Sequence, residues 1–215
     1  MNPRAAGIPL VVTRLGRTDY AAAHRLQAEL VAERARDAIP DQLLITEHDC
    51  VVTRGRRSAV DEGVPAGVAV LDVERGGQAT WHGPGQVVLY PIRFLPPGER
   101  DLKLYLRALE QVVINALATL GLDATRVDGL TGVWIGGLKV CSIGIAVRRW
   151  VTWHGLALNV RNDPAGFGGF RPCGLAGAVM TRVVDHAPPP DSDPMLEEAL
   201  RGAFCGHFGY EPAPF

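Results

Sequence analysis

The chain has 215 residues, 47% of them hydrophobic, and a formal net charge of -1. That length can bury a full core without disulfide or metal staples. The near-zero charge excludes a general nucleic-acid binder, whose phosphate contacts need a basic surface.

No apolar run is long enough to span a bilayer. The apolar stretch ahead of Thr13-Arg14 is too short for the core of a signal peptide, so a cytoplasmic chain is expected.

In chain order, IPLVVTRLG reads as a first strand, and TDYAAAHRLQAELVAERARDAI as a long helix capped by Thr18 or Asp19, with Pro40 just past its end. DQLLITEH, CVVTRG and VAVLDVE follow as short strands. Then comes RGGQATWHGPGQVVLYPI, a glycine-bracketed polar loop that feeds the buried strand Val87–Tyr90. Glycine allows sharp turns and close approach of another molecule to the main chain, so this stretch suits a binding wall. It does not begin a helix, as a dinucleotide fingerprint would, and no phosphate loop of the form G-x-x-x-x-G-K-[ST] is present.

An amphipathic helix is expected from about Asp101 to Leu120, stopped by Gly121. TGVWIGG turns at Gly136-Gly137 into LKVCSIGIAVRR, which turns again into WVTWHGLALNV. RNDPAGFGGFRPCGLAG reads as a long loop, LAGAVMTRV as a short helical segment, and Asp191 precedes the last helix. Strands and helices mix without a regular βαβ beat. This predicts an α+β fold with a mixed, largely antiparallel sheet flanked by helices, in a single domain over 1–215. The core would cover about 8–187 and a C-terminal helical cap about 191–210.

Cys50, Cys141, Cys173 and Cys205 form no C-x-x-C pair and no zinc-like spacing. Cys50 and Cys141 fall in expected strands and Cys205 in an expected helix, all among apolar neighbours. Cys173 follows Pro172 in an accessible loop that runs toward a helix start, where a dipole favours thiolate. A model thiol with a pKa of about 8.5 is mostly protonated at neutral pH, so a nucleophile there needs a partner. His48, His82, His154 and Lys139 are the candidates. Only two of the 22 basic residues are lysines. Lys103 lies on the outer face of a helix, whereas Lys139 stands among glycine and apolar residues, either snorkelling from a hairpin end or serving chemistry. The histidine spacings match no common metal pattern.

RGGQATWHGPGQ, GGLKVCSIGIAVRRWVTWHGLALNV and FRPCGLAG stand in the order and spacing of the lipoyl(octanoyl) transferases. The chain resembles that family from about Leu44 to Val183. The resemblance implies the fold of the biotin and lipoate protein ligases. It also implies an acyltransferase that takes an octanoyl group from acyl carrier protein, where phosphopantetheine carries it, and gives it to a lysine of a lipoyl domain. Such acceptors belong to 2-oxoacid dehydrogenase and glycine cleavage proteins.

By motif, Cys173 would be the nucleophile. Lys139 would lower its pKa and later take a proton from the incoming amine. Arg75, Gly76, Gly77, Gln78, Ala79, Thr80, Trp81 and His82 would line the acyl pocket, with Ser142, Ile143, Gly144, Gly155, Leu156 and Ala157 as further walls. The loop before Cys173 is poorer in aliphatic residues than the family pattern, and Phe167 and Phe170 are the candidates to fill that role. Neither ATP nor a metal is implied as cofactor, and a monomer is expected that binds neither nucleic acid nor membrane. Arg54, Arg56, Arg57, Arg148, Arg149 and Arg171 are candidate contacts for an acidic carrier protein. Two rivals remain: an ATP-dependent lipoate or biotin ligase, which needs no reactive thiol, and a non-catalytic acyl-binding module.

Overall fold

The computed structural model describes residues 9–58, 67–168, 179–187 and 193–211. Cys173, Phe170 and Arg171 lie outside the described residues. Strand β1 (Leu10–Thr18) leads into helix α1 (Tyr20–Arg34), and Asp19 is the cap: its carboxylate accepts from the Ala22 N–H at 2.8 Å. The helix stops at Arg34, earlier than its pattern suggests. Asp37 turns the chain at φ 58°, and the Arg34 guanidinium donates to Asp37 and to the buried Asp41.

Strands β2 (Asp41–His48), β3 (Val51–Arg54), β4 (Ala69–Asp72), β5 (Thr80–His82) and β6 (Gln86–Ile92) precede helix α2 (Leu102–Ala118), which Asp101 caps. Strands β7 (Val133–Ile135), β8 (Leu138–Arg148) and β9 (Val151–Asn159) follow, then helix α3 (Asp193–Phe208).

Six strands form one sheet in the order β1-β2-β6-β9-β8-β7, with β1 and β2 parallel and the other pairs antiparallel. A second sheet has the order β4-β3-β5. The expected mixed, largely antiparallel α+β fold is therefore observed. Alternation along β2 and β6 explains why helices cover both faces of the large sheet. Leu43, Ile45, Val87 and Leu89 join the main core with α2 and α3, while Leu44, Val88 and Tyr90 meet α1 on the opposite face.

The β7–β8 hairpin turns at Gly136-Gly137 as expected, with φ 57° and 81°. The β8–β9 hairpin uses Arg149 and Trp150 at φ 51° and 63°, and this costlier turn is held by the Leu95 N–H donating to the Trp150 carbonyl at 2.7 Å. Met180 pairs with Lys139 as an isolated parallel bridge instead of lying in a helix. Tyr210, just after α3, donates to Asp41 at 2.5 Å and accepts from Arg93, which docks the end of α3 onto β2. No helix among the described residues is long and apolar enough to cross a membrane.

Candidate active site

A cavity of about 370 Å³ opens between the β4–β5 connection, β8, β9 and the first turn of α1. Its walls depend on two close approaches of main chain. Gly144 and Gly155 face each other across β8 and β9. A Cβ on Gly144 would lie 3.1 Å from the Gly76 carbonyl oxygen, and one on Gly155 would lie 2.1 Å from that of Leu89. Only a glycine pair lets the connection at 75–77 and strand β6 come this near.

Arg75 fixes that connection. It is 7% exposed, and its guanidinium donates to the carbonyls of Thr53 and Gln78 and to the Thr53 hydroxyl, each at 2.8 Å. The Gly76 N–H donates to the Ile145 carbonyl at 2.9 Å, which seats the loop on β8. Arg75 therefore shapes the wall as well as charging it.

Of the residues expected at the pocket, Arg75, Gly76, Gly77, Gln78, Thr80, His82, Ser142, Ile143, Gly144, Gly155, Leu156 and Ala157 line this cavity together with Lys139. Ala79 and Trp81 do not. They pack with Val52 and Phe167 in a separate apolar cluster, because successive residues of an extended chain point to opposite faces. Phe167 stacks edge-on against Trp81 at 5.4 Å, so it is not a pocket wall either.

Lys139 is 2% exposed. Its Nζ donates to the Thr131 carbonyl at 2.9 Å and lies 5.2 Å from the centre of the Trp134 ring, a cation–π contact. Among the described residues no carboxylate pairs with it. A lysine this buried, bonded to a carbonyl and facing an aromatic ring, is not the snorkelling arrangement that would suit a hairpin end.

Sequence patterns did not single out the aromatic wall formed by Tyr20 and Tyr90. Tyr20 stacks on His82 at 5.6 Å and meets His48 at 5.0 Å. His48 Nδ1 donates to the Thr18 carbonyl at 3.0 Å, so Nε2 accepts from the Tyr90 hydroxyl at 2.7 Å. His82 Nδ1 donates to Gln86 Oε1 at 3.2 Å, since the Gln86 amide nitrogen is directed to Asn159.

Burial pushes His82 well below the usual imidazole range, with His48 and Arg75 adding to the shift, and lowers His48 as well. Burial likewise lowers His154 to about 3, raises Tyr20 to about 12 and lifts Tyr90 well above the usual phenol range. At neutral pH the titratable wall is therefore uncharged. Among the described residues, the basic side chains lining the cavity are Arg57, Arg75 and Lys139, and no acidic one does.

His154 sits at φ 55°, a conformation that only its surroundings can hold, and its N–H donates to Oε1 of the fully buried Gln27 at 2.8 Å. The fold also brings ring nitrogens of His24 and His154 within 4.8 Å of each other and of Glu74, a grouping invisible in the spacing. Glu74 bridges the two histidines at 2.9 and 3.6 Å, and the Arg75 charge that depresses His154 opposes a further cation there.

Cys141 and Cys205 are buried, but Cys50 is exposed at the bend between β2 and β3, not inside a strand among apolar neighbours. Arg56 and Arg57 are exposed, and their N–H groups donate to the carbonyls of Arg75 and Gly77, so both stand beside the cavity wall. Arg54 is held by Asp72 through two contacts at 2.8 and 2.9 Å. Arg148 and Arg149 flank a shallow depression next to α1.

The model of the lipoyl protein ligase A/B catalytic domain matches residues 19–205. An octanoyltransferase of Geobacter sulfurreducens is 46% identical over 176 residues, 82% of this chain and 75% of the relative. An octanoyltransferase of Thermosynechococcus vestitus is 44% identical over 208 residues, 93% of this chain and 90% of its own. Among solved structures, the bi-partite lipoate protein ligase of Thermoplasma acidophilum superposes with a TM-score of 0.73 at 20% identity, covering 95% of this chain and 86% of that one. The last shares the fold, as the three sequence motifs imply. With residues 19–205 matched by that family model and octanoyltransferases as relatives at 44–46% identity, the chain belongs to the lipoyl protein ligase A/B catalytic-domain family.

Proposed function

We propose that the protein moves an octanoyl group from an acyl carrier protein to a lysine of a lipoyl domain through a thioester on Cys173. The observation that carries this reading is the cavity's charge pattern. A glycine-walled slot holds a neutral aromatic and imidazole wall, and Lys139 is buried in it with no carboxylate paired to it among the described residues. That environment favours an anion beside Lys139, whether thiolate or developing oxyanion.

The described residues on either side of the Cys173 segment attach to the cavity's own strands. Phe167 packs on Trp81, next to Thr80 and His82 of β5, and the Thr181 N–H donates to the Lys139 carbonyl at 2.9 Å.

In the first step the Cys173 thiolate attacks the carrier's thioester carbonyl. The C–S bond to the carrier breaks, and the departing sulfur takes a proton from the Lys139 ammonium. In the second step the acceptor amine attacks the new thioester, its proton passes to the Lys139 amine, and Cys173 leaves as thiolate. The starting protonation states are restored. Thioester to amide is downhill, so neither ATP nor a metal is required. Arg56 and Arg57, beside the cavity wall, suit an acidic carrier protein.

The test is intact-protein mass spectrometry after incubation with octanoyl-acyl carrier protein and no ATP. The expected result is a gain of one octanoyl group that is labile to hydroxylamine and absent in Cys173→Ala. Wild-type acylation of Cys173→Ala would overturn the assignment. ATP-dependent activity in that variant would favour a ligase.

A further inference from the structure

We infer that Glu110 of α2 is a positioning residue for Lys139, acting through the single peptide group between Thr131 and Gly132. The inference rests on the reading of Lys139 given above. Glu110 is a fully buried carboxylate. Its Oε1 accepts from the Gly132 N–H at 3.0 Å, and its Oε2 accepts from Arg107 at 2.8 Å and Arg126 at 3.0 Å. The carbonyl of that same peptide, Thr131 O, accepts from Lys139 Nζ at 2.9 Å.

A peptide group is planar and trans, with its N–H and C=O pointing in opposite directions. Fixing the N–H on Glu110 therefore aims the carbonyl at the lysine. Hydrogen bonds in series also polarise one another, so the carboxylate strengthens the acceptor that Lys139 sees.

Two further features make the arrangement specific. Gly132 adopts φ 136°, and a Cβ there would lie 2.6 Å from Lys139 Cε and 3.2 Å from Nζ, so the turn and the lysine are packed against each other. Arg126 also donates to the Arg107 carbonyl at 3.0 Å and to Gln111 Oε1 at 2.8 Å, which ties the chain before the turn to α2. Leu130 and Thr131 of this turn line the cavity as well. One oxygen of this buried anion thus holds a peptide of the site, while two arginines balance the other.

The experiment is the pH dependence of Cys173 alkylation, read by mass, in a Cys50→Ser background that removes the exposed thiol. It is paired with the rate of octanoyl transfer and with thermal melting. Lys139→Ala defines the profile of a thiol without its partner. Glu110→Ala is expected to move the profile in that same direction and to slow transfer about 10²-fold, the scale of a 1 Å misplacement. Glu110→Gln keeps an acceptor for the Gly132 N–H but loses the charge between the arginines. It is expected to melt at a lower temperature with a profile close to wild type, which a merely structural role would not separate.

A folded Glu110→Ala with the wild-type profile and rate would overturn the inference. If that variant does not fold, Gly132→Ala decides: it forces the turn off Lys139, and an unmoved profile there would overturn it equally. If Lys139→Ala itself leaves the profile unmoved, the cysteine–lysine reading falls. If Lys139→Ala moves it and Glu110→Ala does not, only the role of Glu110 falls.

Discussion

The two faces of the six-stranded sheet are built on different principles. Toward α2 and α3 lies one continuous apolar cluster, in which Leu43, Leu89, Leu109, Val113, Leu117, Leu158 and Phe204 are all fully buried. Toward α1 the apolar contacts break into two small groups. Between and beside them stand Tyr20, Gln27, His48, His82 and His154, all buried and polar. The first face earns stability by excluding water from hydrocarbon. The second gives up part of that gain to hold hydrogen-bonded and neutral titratable groups around a cavity. Lys139 lies where the second arrangement meets the first, since its anchoring turn is bolted to α2.

The comparison breaks most sharply on the cavity side. Lys139→Arg retains the charge but cannot accept a proton, and the expected loss in transfer rate is about 10²–10⁴-fold, the range for a proton-transfer group. Single-turnover kinetics would check it. Normal turnover would mean that charge alone suffices.

On the other face, Leu109→Ala is expected to lower stability by about 2–5 kcal/mol while the folded fraction keeps its rate. Urea denaturation beside an active-site-titrated assay measures both. A rate loss without destabilisation would show that the faces are not separable in this way.

A smaller effect follows from the histidines. Because folding depresses His154 to about 3 and lowers His48 and His82, the unfolded chain binds more protons below the ordinary imidazole range. Their contribution to stability is therefore complete above pH ~6.5 and is lost as the pH falls toward the folded values, at up to about 1.4 kcal/mol per pH unit for each histidine. Melting temperatures between pH 7 and 5 should fall, and less steeply in His82→Asn. A flat profile would mean that these rings are not buried neutral.

The smallest change is expected at the surface. Replacing Arg56 and Arg57 by Glu should raise KM for the carrier protein several-fold at low salt and leave kcat unchanged, with the difference shrinking as salt rises. Salt-independent binding of the wild type would remove the electrostatic role.

Much of this was readable from the chain. The α+β class, the Gly-Gly hairpin and the cap of α1 follow from local pattern, because alternation, capping and turn chemistry are short-range, whereas the candidate wall residues came from the family motifs. Carrying a family motif over as an unbroken run misled at Ala79 and Trp81, and local pattern misled at Cys50. A run of candidate residues looks uniform as text, yet extended chain sends alternate side chains to opposite faces, and a residue beside a strand can sit in an exposed bend. Tyr20, Gln27, Glu110 and the turn at 129–131 carried no signal, since each meets the site only across long sequence separations.

By itself the sequence determined the fold class, the family motifs and the singular setting of Lys139, each a matter of residue type and spacing. Only the tertiary structure decided what that lysine meets: the carbonyl of Thr131, and behind it a buried anion on another helix. Such contacts join residues far apart in the chain, and their distance and direction, which set electrostatic strength, exist only once the layers have packed.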